Sequence, residues 1–152
     1  MDTIFVQTLT QNSIIGILLI GISVSQPVIS PNGTVDVLQG TNLTLTCTYQ
    51  SKPSIDQFIS WNLRKQGWTN FASALSVYKT PGSICPYFDG NLTLYGYSCP
   101  ADNMFSITIY YVERSTSQGS TWTCAHQAGS APFVESANVT INVQGNHSTL
   151  YK

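Results

Sequence analysis

Between Pro27 and Val143, apolar and polar side chains alternate in short runs, most of them closed by glycine, proline or asparagine. The cleanest run is Gly40-Thr-Asn-Leu-Thr-Leu-Thr-Cys47. Leu43, Leu45 and Cys47 fall on one side of it, and Asn42, Thr44 and Thr46 on the other. A period of two with residues suited to a pleated surface predicts a half-buried strand. The same pattern predicts strands over 27–29, 34–38, 58–63, 105–112, 121–126 and 137–143, with Ile59, Trp61 and Leu63 inward on one and Phe105, Ile107 and Ile109 inward on another. Residues 68–78 predict a less regular strand. Turns are marked at Pro31-Asn32-Gly33, Gly40, Gly67, Pro81-Gly82, 115–120 and 129–132. Asp89-Gly90, set between aromatic and β-branched residues, predicts a two-residue hairpin inside the segment 85–99. No helical period of useful length follows residue 25. About eight short strands at turn-punctuated spacing predict an all-β sandwich or barrel.

The first 25 residues stand outside this pattern. Residues 13–25 form an apolar run ending in small residues, too short for an ordinary membrane span and suited to the hydrophobic segment of a secretory signal peptide. Ser23 and Ser25 are placed for cleavage before Gln26, although the first twelve residues carry Asp2 and no Lys or Arg. The expected organisation is a signal peptide over 1–25, one domain over 26–143 and a polar tail or linker over 144–152. Nothing in that tail is apolar enough to anchor or span a bilayer.

Secretion changes how the four cysteines are read. Cys47, Cys85, Cys99 and Cys124 are even in number, and an oxidising compartment predicts two disulfides with three pairings open. Cys47 ends the apolar face of its strand and calls for a sulfur partner across a core. Cys124 offers one, with Trp61 between them in sequence as a filler of the right bulk. No Cys-x-x-Cys pair occurs, and His126 and His147 do not supply zinc-ligand spacing, so neither metal nor cofactor is expected. Charged residues are 9% of the chain and the net charge is −1, which leaves no basic stripe for nucleic acid.

The ordered set Gly40-x-x-Leu43-x-Leu45-x-Cys47, Trp61, Phe105-x-Ile107-x-Ile109-x-x-Val112 and Trp122-Thr-Cys124 resembles the immunoglobulin superfamily, closer to its variable and intermediate types than to its constant type. The resemblance covers about residues 27–143. It implies a two-sheet antiparallel β-sandwich with Greek-key topology, preceded here by the signal peptide. It also implies a Cys47–Cys124 bridge between the sheets, which leaves Cys85 for Cys99, and a core built on Trp61, Trp122, Leu45 and Ile109. Two departures stand out. Trp122 replaces the tyrosine usual two residues before the second cysteine, and Gln118 replaces an acidic residue, so that corner is expected to be held by packing more than by hydrogen bonds. The Gly-x-Gly bulge of antigen-receptor domains is absent between Cys124 and Val143, which counts against antibody-like side-by-side pairing.

No paired carboxylates, nucleophile–base set or phosphate loop is evident, so catalysis is not expected. His126 continues the alternation of Trp122 and Cys124 and reads as a structural histidine. Asn-x-Ser/Thr occurs at Asn32, Asn42, Asn91, Asn138 and Asn146, each a candidate for N-glycosylation, with at least three expected to carry sugar. Sugar at Asn42 and Asn138 would cover both outer faces. That shifts the expected contact surface to Arg64, Lys65 and Trp68, or to the aromatic insert with Tyr87 and Phe88. The resulting expectation is a non-catalytic binding module, secreted or on the extracellular face of the plasma membrane, that works through protein–protein contacts in cell recognition, adhesion or immunity. Its partner is a protein ligand or cell-surface receptor, with homotypic pairing of two such domains an open alternative. Two rival readings are the truncated ectodomain of a membrane receptor of the same family and a carbohydrate-binding β-domain.

Overall fold

The computed structural model describes residues 25–50, 54–83, 85 and 87–145, without the side chains of Tyr87 and Phe88. The expected signal peptide up to residue 24, and Asn146, lie outside the described residues. The strands are β1 (Val28–Ser30), β2 (Gly33–Leu38), β3 (Leu43–Thr48), β4 (Gln57–Arg64), β5 (Ala72–Lys79) and β6 (Tyr87–Gly90). They continue with β7 (Tyr95–Ala101), β8 (Met104–Ile109), β9 (Thr121–Ala128), β10 (Val134–Glu135) and β11 (Val139–Gln144). A single helical turn, α1 (Arg114–Ser117), interrupts the run before β9.

Two sheets face each other. The back sheet has the order β1-β3-β8-β7, and the front sheet β2-β11-β9-β4-β5-β6, with β10 also paired to β9. All pairings are antiparallel except β2 with β11, where Gly33–Leu38 runs parallel to Val139–Gln144. The two-sheet antiparallel sandwich expected from the sequence is thus present, with one parallel pairing at the edge of the front sheet. The turn after Ser30 carries the chain from the edge of the back sheet to the edge of the front sheet, and β2 arrives there in the same direction as β11.

Alternation builds the core. Leu43, Leu45 and Cys47 of β3 are buried, as are Ile59 and Trp61 of β4, Phe105, Ile107 and Ile109 of β8, Trp122 and Cys124 of β9, and Val139, Ile141 and Val143 of β11. Trp61 lies opposite Cys124 in the β4–β9 register. The Cys47–Cys124 disulfide crosses between the sheets at a Cα separation of 6.2 Å, within the normal span of such a bridge.

Other expectations from the sequence are corrected. The strand expected from residue 68 begins at Ala72, leaving Trp68 in the preceding turn. Asp89-Gly90 is not a hairpin tip. It ends β6, which pairs with β5, and Asn91–Leu94 then turns the chain into β7 of the other sheet. Gly90 has φ 142°, and a Cβ there would meet Leu75 Cδ1 at 2.6 Å and the Ala74 carbonyl at 2.9 Å. Close strand approach, not a tight turn, requires this glycine. The Cys85–Cys99 bridge therefore ties the edge of the front sheet to the edge of the back sheet instead of closing a hairpin.

The corner before β9 is also hydrogen-bonded, contrary to expectation. The Trp122 indole N–H donates to Ser120 Oγ at 3.3 Å. Gln118 donates to Asn142 Oδ1 at 3.0 Å and accepts from the Val143 N–H at 2.7 Å, while Arg114 donates to the Val143 carbonyl at 2.9 Å. Trp122 thus bonds within the corner, while Gln118 and Arg114 tie it to β11.

Candidate interaction face

The register of the front sheet decides which side chains it presents. Inward residues Ile59, Trp61 and Leu63 of β4 sit opposite His126, Cys124 and Trp122 of β9. The residues between them, Phe58, Ser60, Asn62 and Arg64, therefore face outward. Phe58 lies between Tyr78 and Gln127, Ser60 between Ser76 and Ala125, and Asn62 between Ser73 and Thr123. The centre of this outer face is thus small and hydroxyl-rich. Ser60 Oγ donates to Asn62 Oδ1 at 2.9 Å, and Ser73 and Ser76 stand 3.1 Å apart. Asn62 reaches Glu135 of β10 at 3.4 Å. Thr123 Oγ1 is buried with no hydrogen-bond partner among the described residues.

The rims of the face are aromatic. At one end Phe58 and Phe133 meet edge to face at 5.6 Å, and Tyr78 donates to Asp56 Oδ2 at 2.5 Å. That hydrogen bond, more than burial, pushes the Tyr78 phenol above its ordinary pKa. These residues enclose an open cleft of about 440 Å³ with Gln127 and Gly129. At the other end Arg64 lies over Phe71 at 4.9 Å and Lys65 over Trp68 at 5.3 Å. Trp68 is 53% exposed, so its place is at the surface and not in the core.

Arg64, Lys65 and Trp68 are thus brought together at one end, at the foot of β4 and the turn that follows it. The backbone of Tyr87 and Phe88 lies on β6 at the sheet edge, and their side chains lie outside the described residues. Phe58, Tyr78 and Phe133 are not among the contacts expected from the sequence. A signal for Phe58 exists there: it falls out of phase with Ile59, Trp61 and Leu63. Phe133 has none, since only the fold brings its loop beside Phe58.

Asn32, Asn42, Asn91 and Asn138 are exposed. Asn138 precedes β11 and does not lie within it. Asn42 Oδ1 accepts from the Tyr111 N–H at 3.1 Å, and Asn91 Oδ1 accepts from the Thr93 N–H at 3.0 Å and the Thr93 hydroxyl at 2.6 Å. His126 is buried, stacked on Tyr49 at 4.2 Å and 3.1 Å from Gln57 Oε1, a packing role in the sheet interface. Among the described residues no three His, Cys, Asp or Glu side chains are grouped to hold a metal ion. Among them, too, no helix is long and apolar enough to cross a membrane.

No protein-family model matches the chain, and no curated protein matches it. Among solved structures, a crystal structure of a chicken TCR matches with a TM-score of 0.59 at 20% identity. The match covers 79% of this chain and 51% of that one, so this chain spans about half the length of its solved neighbour. At this identity the likeness is one of fold. It agrees with the strand order, in which β5 and β6 extend the front sheet as variable-type immunoglobulin domains do.

Proposed function

We propose that this variable-type immunoglobulin-like domain is an extracellular recognition module of the immune kind, non-catalytic, that binds a protein ligand through the outer face of β9, β4 and β5. The observation that carries the reading is the make-up of that face. A small-residue centre is rimmed by Phe58, Tyr78 and Phe133 at one end and by Arg64, which lies over Phe71, at the other. Aromatic residues and arginine are enriched in protein interfaces and among the residues that carry most of their binding energy. Two disulfides within one small domain suit an oxidising compartment, and with them a leader over residues 1–25 and sugar on the exposed sequons. The fold shared with a chicken TCR supports the immune setting.

The test is binding of fluorescent multimers of the secreted protein to leukocytes. Phe133→Ala and Tyr78→Ala should each weaken binding by about tenfold or more, the range of an interface hot spot. Thr108→Ala, on the opposite sheet, should leave it unchanged. Equal binding by all three proteins would place the contact elsewhere.

A further inference from the structure

We propose that the cleft beside Trp68 seats the first sugars of an N-glycan carried by Asn91. This rests on the reading of the sequons as glycosylated and adds to it a docking site within the same chain. The cleft, about 270 Å³, is lined by Trp68, Lys65, Ala72, Ala74, Asp89 and Asn91 among others. Asn91 is therefore not simply exposed: it forms part of the wall of this open hollow.

Three observations fit a sugar occupant. First, the Asn91 side chain is held by its own sequon. Thr93 donates to Oδ1 from both its N–H and its hydroxyl, and the amide nitrogen, the atom that glycosylation modifies, has no partner among the described residues. Second, Lys65 lies over the Trp68 ring at 5.3 Å, yet Trp68 as a residue stays 53% exposed, so apolar surface remains for a pyranose to cover. Sugar C–H groups suit the negative face of an indole, and covering it removes apolar area from water. Third, the rest of the lining is mixed as a sugar needs. Ala72 and Ala74 leave room, while the Asp89 carboxylate and Ser73 hydroxyl can bond hydroxyl and N-acetyl groups. The neighbouring Leu92 and Leu94 are also exposed, and a glycan rooted between them and Trp68 would shield this apolar end of the sandwich.

The three tryptophans make the proposal measurable. Trp61 and Trp122 are 1% and 2% exposed, so fluorescence quenched by acrylamide reports Trp68. The full chain is secreted from animal cells and glycopeptide mass spectrometry is applied first. An unmodified Asn91 overturns the glycosylation reading of this sequon and the docking with it. With Asn91 occupied, the wild-type quenching constant should be at most about half that of Asn91→Gln or Thr93→Ala, because the glycan covers ring surface that Lys65 leaves open. Enzymatic removal of the glycan from the folded wild type should raise it equally, which avoids any folding defect of the variants. Trimming to a single N-acetylglucosamine should preserve protection, and Trp68→Phe should abolish the difference. Equal quenching of occupied and unoccupied protein, whether both high or both low, would overturn docking while leaving glycosylation intact.

Discussion

Replacing both Cys85 and Cys99 by alanine separates the two roles this pair could have. The bridge spans a sequence separation of 14 and joins the segment before β6, on the front sheet, to β7 on the back sheet. Chain entropy gives such a loop a stabilisation of about 3 kcal/mol, against about 4.5 kcal/mol for Cys47–Cys124 with its separation of 77. For about 120 ordered residues the unfolding entropy near the midpoint is about 250 cal/mol/K, so loss of the bridge should lower Tm by about 12 °C. Sheet-to-sheet stapling adds a local expectation. Amide exchange should accelerate in β6 and β7 far more than in β3, β8 or β9, which the core still holds. Calorimetry and hydrogen exchange at neutral pH measure both. A fall in Tm below about 3 °C, or exchange that rises uniformly over both sheets, would refute the reasoning.

Three further outcomes follow from single contacts. Thr123→Val removes the buried hydroxyl that has no partner among the described residues and keeps the shape, so it should raise stability by about 1 kcal/mol in urea denaturation. Gly90→Ala should cost about 2 kcal/mol or more in the same assay, because the new methyl meets Leu75 and the Ala74 carbonyl and the backbone has φ 142°. Asp36 accepts hydrogen bonds from the Asn142 and Gln144 amides, which hold its carboxyl below the ordinary value. A depressed folded-state pKa contributes stability above the ordinary carboxylate range and loses it as pH falls through the folded value. Wild type and Asp36→Ala should therefore differ by a constant amount at pH 5 to 7 and converge as the pH falls below about 3.

The core was legible because it obeys one rule. Leu43, Leu45, Cys47, Trp61, Ile109 and Trp122 all lie on the apolar phase of a period-two run, and all face inward. Asp89-Gly90 misled because local turn chemistry does not register what lies across the sheet. The same dipeptide serves a hairpin or, as here, a glycine pressed against Leu75. Parallel pairing of β2 with β11 was hidden for a similar reason: it depends on where a crossing chain lands. The candidate face was half legible. Arg64, Lys65 and Trp68 follow one another closely along the chain, whereas Phe133 joins Phe58 only through the fold.

Recognition through the front face is tested most directly by placing a sugar on it. Arg64→Thr completes an Asn-x-Thr sequon on Asn62, in the β9–β4–β5 face. Ser106→Asn opens an Asn-x-Thr sequon that ends at Thr108, on the outer side of β8, where Ser106 now meets Thr46 at 2.9 Å. Arg64→Ala serves as the control for loss of the arginine alone. With occupancy of each new site checked by mass, leukocyte binding of the multimer should be abolished by Arg64→Thr, weakened but still measurable with Arg64→Ala, and retained by Ser106→Asn. Retained binding with sugar on Asn62, or loss with sugar on position 106 alone, would contradict the assignment of the front face.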